Sequence, residues 1–123
     1  MNSSYRGLKK SDRLELKAEF DRAYKQGRRF FGHFFVAYVL AKQDGPLRLG
    51  VVASRKVGNA VERGRAKRLL REAFRSNRPA ENVSADVVLI ARSSINEASY
   101  QEVEKAYART ISRVFEKRCG DSR

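Results

Sequence analysis

The segment from residue 55 to residue 78 carries much of the positive charge of this sequence. Nine of its residues are basic and two, Glu62 and Glu72, are acidic, so nine minus two gives a local net charge of +7 within a chain of formal net charge +13. Most of the nine are arginine, whose planar guanidinium offers a fork of donors that fits phosphate. These side chains therefore favour the binding of a polyanion. They are Arg55, Lys56, Arg63, Arg65, Lys67, Arg68, Arg71, Arg75 and Arg78.

The spacing of these residues places most of them on one side of a helix. At about 100° per residue, six share an arc of about 140° opposite an apolar stripe, and Arg65 lies off that arc. Like charges four residues apart repel by a few tenths of a kcal/mol, so an anionic partner that neutralises them explains the pattern. The alternative is a solvated helix face, although such faces normally interleave both signs. The six are Arg63, Lys67, Arg68, Arg71, Arg75 and Arg78.

Aromatic side chains offer a second kind of contact with nucleic acid. The bases of a single strand stack on exposed rings, so rings beside a basic surface suggest single-stranded RNA. Rings at helix or strand spacing also fill cores, and the core remains the alternative for each of them. The candidates are Phe20, Tyr24, Phe34 and Tyr38.

The residues that usually carry catalysis are few and scattered. His33 is the only histidine and lies in a strand pattern, and Cys119, the only cysteine, lies in a charged tail where a reduced thiol is expected. One histidine and one cysteine do not suffice for a structural zinc site. The acidic residues of the first predicted helix do not face a second acidic element, as a two-metal site requires. We therefore predict no catalytic and no metal-binding residue.

A first helix and two or three strands are predicted to hold the aromatic candidates. The helix begins near Ser11 and Asp12, with Glu15 in a capping arrangement, and ends at Gly27. Its apolar side consists of Leu16, Phe20, Ala23 and Tyr24. Strand patterns follow at residues 30–41, which Gly32 can divide in two, and at residues 47–53, which we expect to pair with the preceding strand as a hairpin.

Alternation in the first strand segment assigns its residues to two faces. Both faces are apolar, so both are expected to be covered. One face carries Phe34, Val36, Tyr38 and Leu40, and the other carries Phe35, Ala37 and Val39.

The second half of the chain is predicted as helix, strand and helix. Asn59 is the expected N-cap of the basic helix, which runs to about Asn77. Residues 86–91 form a buried strand, and a last helix starts at Asn96 or Ser99 and ends near residue 117. Its expected apolar stripe is Tyr100, Val103, Tyr107, Ile111 and Val114. The fold class is α+β: one α/β sandwich with a mixed sheet of about four strands and three helices, in the order α-β-β-β-α-β-α.

Length and composition agree with one folded unit. The 123 residues are 41% hydrophobic, so we expect a single RNA-binding domain over residues 1–123 with flexible ends at about 1–7 and 119–123. No apolar run could cross a membrane and the first ten residues lack the apolar part of a secretory signal, which predicts a cytoplasmic protein. A membrane-surface helix is disfavoured because Leu69, Leu70 and Phe74 must cover the sheet.

The run at residues 54–68, S-R-K-V-G-N-A-V-E-R-G-R-A-K-R, resembles the signature S-K-K-x-G-N-A-V-x-R-N-R-x-K-R of the protein subunit of bacterial ribonuclease P. Arg55 replaces a lysine, and Gly64 stands where the family has the central asparagine of its Arg-Asn-Arg motif. For Gly64 two interpretations stay open, neutral drift or a closer approach of RNA backbone. Similar segments lie at residues 8–10, 19–27, 35–38, 47–51 and 90–92, so the resemblance covers nearly the whole chain.

The resemblance implies an accessory subunit of a ribonucleoprotein endonuclease that removes the 5′ leader from precursor tRNA. In that family a large RNA carries the chemistry with Mg²⁺, and the protein, which binds no cofactor alone, contacts that RNA and the leader; we expect one copy in the complex. The family's leader cleft carries over to Phe20, Tyr24, Val36, Tyr38, Lys56 and Arg63. The RNA-contacting helix carries over to Arg63, Arg65, Lys67, Arg68 and Arg71, and Arg75 shares the charged face.

Two other classes of protein share some of these features. A structural RNA-binding protein, such as a ribosomal protein, would have the same charge, size and mixed fold, and only the run at residues 54–75 separates the two. An autonomous nuclease would have to cleave precursor tRNA without any RNA partner.

Overall fold

The computed structural model describes residues 12–78 and 83–121, with side chains as far as Val114 in the last helix. The predicted order of elements is confirmed, and a short 3₁₀ helix is added before the last helix. The elements are α1 (Lys17–Gln26), β1 (Arg28–Phe31), β2 (Phe35–Ala41), β3 (Leu47–Val52), α2 (Ala60–Ser76), β4 (Ala85–Ala91), the 3₁₀ helix (Ser93–Glu97) and α3 (Tyr100–Asp121). The predicted flexible ends lie outside the residues whose side chains are described, although the backbone of α3 continues to Asp121.

The four strands form one mixed sheet in the order β1-β2-β4-β3. β2 is antiparallel to both β1 and β4, whereas β3 is parallel to β4. The predicted hairpin between β2 and β3 is therefore wrong, because β4 lies between them. The run Val87, Val88 and Leu89 is buried on both faces of the sheet. A strand with two apolar faces gains most burial at the centre, and α2 supplies the long crossover that a parallel pair needs.

One face of the sheet, here called the closed face, packs against α2 and α3. Phe35, Ala37 and Val39 of β2 are buried there, as the alternation predicts. The predicted stripes of both helices are confirmed, since Leu70 and Phe74 of α2 lie in the same cluster. From α3 the cluster takes Val103, Tyr107, Ile111 and Val114.

The opposite face, here called the open face, is covered only in part by α1. A small buried cluster lies between that helix and the sheet and consists of Ala23 of α1, Leu14 and Val88. Val36, Tyr38 and Leu40 of β2 are only partly buried. The expectation that both faces are covered is thus confirmed for the closed face and wrong for the open face, within the part of the chain that the structure describes.

Phe34 departs from its predicted face. It precedes β2, so the alternation of that strand does not extend to it, and it packs against the core of the closed face. Its ring meets His33 edge to face at 4.5 Å between centroids. Phe34 is therefore no part of the open face.

The start of α1 also differs from its prediction. The helix begins at Lys17 with Leu16 as N-cap, so the cap predicted around Asp12 and Glu15 is wrong. The carboxylate of Glu19 instead accepts hydrogen bonds from the backbone N–H of Glu15 at 3.0 Å and of Leu16 at 3.1 Å. Leu16 is 64% exposed and does not belong to the apolar side of the helix. The predicted end is confirmed, since the N–H of Gly27 donates to the carbonyl of Ala23.

The start of α2 follows its sequence signals closely. The side chain of Asn59 accepts from the N–H of Glu62, and the carboxylate of Glu62 accepts from the N–H of Asn59, both at 2.9 Å. This reciprocal pair satisfies two N–H groups that a helix start leaves unpaired. Gly58 has a φ of +147°, and a Cβ there would collide with the Glu62 carboxylate. At the start of α3, Ser99 and Glu102 form the same kind of reciprocal pair, which confirms Ser99 as a predicted start of that helix.

Candidate nucleic-acid interface

A network of charged side chains holds α1 against the open face. The guanidinium of Arg48 on β3 forms two hydrogen bonds with the carboxylate of Asp86, at 3.0 and 3.1 Å, and a third with Glu19 of α1 at 2.8 Å. Lys42 adds a contact of 3.4 Å to Asp86, which is 1% exposed. Because an unpaired buried charge is costly, this network fixes the position of α1 over β3 and β4.

The network also affects the ionisation of Glu19. Burial acts to raise the pKa of this carboxyl, but hydrogen bonds from the backbone of Leu16 and Glu15 and from Arg48 outweigh burial, and the pKa lies below its ordinary value. The carboxylate form is therefore favoured by the folded protein.

Beside this network, the surface formed by α1 and the neighbouring part of the open face, here called the α1 cleft, carries Tyr24, Val36 and Tyr38, with Phe20 over β3. Tyr24 and Tyr38 meet edge to face, with ring centroids 5.1 Å apart. The ring of Phe20 packs on Gly50, where a Cβ would stand 2.5 Å from it. Tyr24 is 36% exposed, and Phe20, Val36 and Tyr38 are partly buried. Of the six residues carried over to the leader cleft, Tyr24 and Tyr38 are in contact, Val36 lies beside Tyr38 on the same face of β2, and Phe20 lies over β3.

The other two, Lys56 and Arg63, lie near the start of α2. Lys56 is exposed in the turn that follows β3. This turn lies at the end of the sheet where Val36, Ile90 and Val52 stand side by side on β2, β4 and β3. Arg63 is partly buried, and its Nε has no hydrogen-bond partner among the described residues. This Nε is itself buried, so an anionic partner would be reached by the other N–H donors of the guanidinium.

The basic face of α2 combines exposed and partly buried cations. Arg68 is exposed, and Lys67 and Arg71 are partly buried. Arg71 lines a small cleft at the outer edge of β3 together with Phe20 and Gly50, so the basic face approaches the α1 cleft around that edge.

Two members of the basic face are already paired with acidic side chains. Arg75 forms an ion pair with Glu72, one turn earlier in α2. Arg78 donates to Asp12 at 2.9 Å and lies over the ring of Phe74. These pairs neutralise part of the charge that the sequence concentrates there.

Arg65 points away from the basic face. Its guanidinium donates to the backbone carbonyls of Ile95 at 3.1 Å and of Ala98 at 2.6 Å. Ile95 lies in the 3₁₀ helix, and Ala98 follows that helix just before α3 begins. The side chain therefore ties α2 to the start of α3, in agreement with its position off the basic arc.

Gly64 lies between Arg63 and Arg65 in the interior of α2. A Cβ there would meet only the Nη1 of Arg68, at 3.7 Å, which is an ordinary contact. The packing of the described residues does not require glycine at this position.

Sequence reasoning missed two features of the open face. The network of Arg48, Asp86 and Glu19 left one signal, an acidic residue at the start of an otherwise apolar strand. The second feature is the exposed pair Arg29 and Phe31 on β1. Its signal is the alternation of side chains along a strand, which places both residues on the face of Val36 and Tyr38. Among the described residues no group of three or more His, Cys, Asp or Glu gathers to hold a metal ion. No described helix is long and apolar enough to span a bilayer.

Comparison with known proteins gives a consistent result. The family model for ribonuclease P matches residues 8–115. The ribonuclease P protein component of Maridesulfovibrio salexigens is 36% identical over 116 residues, covering 91% of this chain and 94% of that protein. The corresponding protein of Clostridium kluyveri is 39% identical over 104 residues, covering 83% and 93%.

Solved structures show the same fold. The RNase P protein of Staphylococcus aureus superposes with a TM-score of 0.76 at 28% identity, covering 85% of this chain and 96% of that one. The RNase P protein of Thermotoga maritima gives a TM-score of 0.73 at 28% identity, covering 82% and 96%.

The fold, the basic helix and these similarities define an α+β protein subunit that acts together with RNA. The chain belongs to the ribonuclease P protein family. Members of this family are subunits of a ribonucleoprotein endoribonuclease of tRNA processing, in which the RNA carries catalysis. The interpretations as a ribosomal protein and as an autonomous nuclease are therefore wrong.

Proposed function

We propose that this protein uses two surfaces in the ribonuclease P reaction: the basic face of α2 for the catalytic RNA, and the α1 cleft for the 5′ leader of precursor tRNA. Lys56 and Arg63, at the sheet edge and the start of α2, would contact the leader backbone. The observation that carries the proposal is the contrast between the two sheet faces. The same sheet is buried on one side, and on the other its partly exposed Tyr38 lies beside Tyr24 of α1.

The shape and chemistry of the α1 cleft suit a single strand of RNA. Tyr24 and Tyr38 offer ring surface beside the partly exposed Val36, and stacking on such rings contributes roughly 1–3 kcal/mol per base without regard to sequence. Leaders of different sequence could bind in the same way. The charge network of Arg48, Asp86 and Glu19 keeps α1 at a fixed distance from the sheet, so the cleft exists before RNA arrives.

The basic face of α2 suits the phosphates of a folded RNA. Arg68 is exposed and Lys67 and Arg71 are partly buried beside it, so they can approach a backbone without unfolding any part of the helix. Each phosphate neutralised in this way releases counterions, so binding should weaken steeply with salt. Arg65 and Arg75 were expected to take part, but we propose that their contribution is smaller, because both already hold partners within the protein.

The protein's part in the reaction is positional. Holding the leader in the α1 cleft while α2 holds the catalytic RNA places the cleavage site of the precursor against the RNA. We place the Mg²⁺ chemistry on the RNA partner, because the RNA carries catalysis in this family. We further propose one copy of the protein in a cytoplasmic complex, as its single cysteine fits a reducing compartment.

The test is a binding measurement on the holoenzyme reconstituted with its cognate RNA. Tyr38→Ala should lower the affinity for precursor tRNA by roughly 5- to 150-fold, the loss of one stacked base, and leave the affinity for mature tRNA unchanged. Tyr100→Ala, a tyrosine of similar burial on α3, serves as the matched control and should leave both affinities unchanged. An equal loss for precursor and mature tRNA in Tyr38→Ala would contradict leader binding in the α1 cleft. Circular dichroism confirms that each variant is folded.

A further inference from the structure

The edge strand β1 places two side chains on the open face that no sequence motif singles out. Arg29 stands directly opposite Tyr38 and Phe31 directly opposite Val36 in the antiparallel pair of β1 and β2. Residues opposite each other in a sheet project to the same side. Arg29 and Phe31 therefore extend the open face outward from the α1 cleft.

Phe31 is unusual for its exposure. It is 61% exposed, more than any other phenylalanine or tyrosine whose side chain the structure describes. Neither Phe31 nor its neighbour Val36 belongs to either apolar cluster of the described residues. The two side chains thus form an apolar step at the sheet edge that α1 does not cover.

Arg29 gives this step a positive charge. Its guanidinium lies over the ring of Phe31, 4.8 Å from the centroid, and it forms no ion pair with a described residue. A ring beside an unpaired arginine is the combination that binds a base together with its phosphate.

We propose that Phe31 and Arg29 form an outer platform for the leader, one nucleotide beyond the position held by Tyr38. This inference rests on the proposed function of the α1 cleft. The diagonal from Tyr38 to Phe31 spans about 7 Å in an antiparallel pair, so neighbouring nucleotides can occupy both rings. The platform gives the leader a path that continues from the cleft across β2 and leaves the protein at the edge of β1.

Arginines on an edge strand have another known role. They keep two edges from pairing, and β1 is an edge of this sheet. That role explains a charge at the edge but not an exposed phenylalanine, because a large apolar side chain favours the association that the charge prevents. Charge and ring together favour RNA over a second copy of the chain.

The experiment uses the reconstituted holoenzyme and a series of precursor tRNAs whose leader grows by one nucleotide at a time, with mature tRNA as the reference. Wild-type affinity should rise with leader length and then level off. In Phe31→Leu, which keeps an apolar side chain but removes the ring, the rise should end one nucleotide earlier, with an affinity about fivefold lower for the longest leaders. Phe31→Tyr should restore the wild-type curve. Leu16→Ala, at 64% exposure on α1, is the matched control and should leave the curve unchanged.

Three results would overturn the platform, and they differ from failure of the proposed function. The first is a Phe31→Leu variant whose affinity rises with leader length as in the wild type, while the affinity of Tyr38→Ala no longer rises. The second is an equal loss by Phe31→Leu for every substrate including mature tRNA. The third is self-association of the wild-type protein, measured by light scattering, that Phe31→Leu abolishes, which would assign the step to a second copy. A normal rise in Tyr38→Ala itself would instead refute leader binding in the α1 cleft.

Discussion

The two faces of the sheet differ in what covers them. On the closed face, Phe35, Leu89 and Phe74 are wholly buried beneath α2 and α3. On the open face, the ten-residue helix α1 is held by charged pairs, and Tyr38, Ile90 and Val52 remain partly exposed. Apolar residues therefore serve two purposes in one sheet: on the closed face they stabilise the fold, and on the open face they leave a surface for a ligand. The largest effects on stability should come from the first and the largest effects on substrate choice from the second.

Truncation on the closed face should cause the largest loss of stability. Phe74→Ala removes a ring that is 0% exposed, so we expect the free energy of unfolding to fall by about 3–5 kcal/mol. Phe31→Ala, the matched change of an exposed ring, should change it by less than about 0.5 kcal/mol. Urea unfolding followed by circular dichroism measures both. Equal losses in the two variants would remove the distinction between the faces.

Breaking the charge network should release α1 and open the cleft. Arg48→Met leaves Asp86 buried with only Lys42 as partner, and removal of one member of a buried pair costs roughly 3 kcal/mol or more. Affinity for precursor tRNA should fall with stability, because the α1 cleft loses its fixed wall. Stability is read from thermal unfolding and affinity from precursor binding. A stable variant with normal precursor binding would show that α1 is held by other contacts.

The same network predicts a pH dependence. The pKa of Glu19 is lower in the folded protein than its ordinary value of 4.5, so the unfolded chain binds a proton first as pH falls. The stability that Glu19 contributes is complete above about pH 4.5 and is lost as pH falls through the folded pKa. Glu19→Gln should remove this part of the acid dependence, which unfolding curves at a series of pH values would detect. Identical acid profiles for the two proteins would contradict this role.

Two arginines of α2 should separate stability from RNA binding. Arg65→Met removes the donor to the Ala98 carbonyl and one of the two donors to the Ile95 carbonyl, so we expect a loss of about 1–3 kcal/mol in stability. Its effect on the salt dependence of RNA binding should be small. Arg68→Met should show the opposite: unchanged melting, and a salt slope reduced by roughly one phosphate. If Arg65→Met instead lowered the salt slope without loss of stability, while Arg68→Met lowered stability, Arg65 would be the residue that contacts RNA.

The smallest effect is expected at Gly64. Glycine in a helix interior is roughly 0.5–1 kcal/mol less favourable than alanine, asparagine recovers part of that difference, and the space at this position admits a side chain. Gly64→Asn should therefore raise stability slightly and leave RNA affinity and precursor processing unchanged or improved. Binding and cleavage assays on the folded variant check this. A clear loss of RNA binding would show that the RNA backbone must approach the helix closely there.

Local signals in the sequence determined most elements. The capping pairs Asn59 with Glu62 and Ser99 with Glu102, the stop at Gly27 and the division of the first strand segment near Gly32 each depend on residues a few positions apart. Such signals act before the chain has folded, so they can be read without knowing its tertiary structure.

Long-range pairing could not be read in this way. The neighbours of β3 depend on where strand β4 inserts in the sheet. β4 takes a central position because side chains on both of its faces are buried. The carbonyl partners of Arg65 lie thirty or more residues away in the chain. In the α1 cleft, alternation predicted that Val36 and Tyr38 share a face, but the partnership of Tyr24 with Tyr38 required the fold.

The most direct test of the account is to locate the leader on the protein. A precursor tRNA with a photoreactive uridine in its leader, bound to the holoenzyme and irradiated, forms covalent links to the side chains it touches, which mass spectrometry identifies. We predict links on the open face, at Phe20, Tyr24 or Tyr38. Links confined to the side of α2 and α3, for example at Tyr100, would contradict the claim that the open face binds the leader.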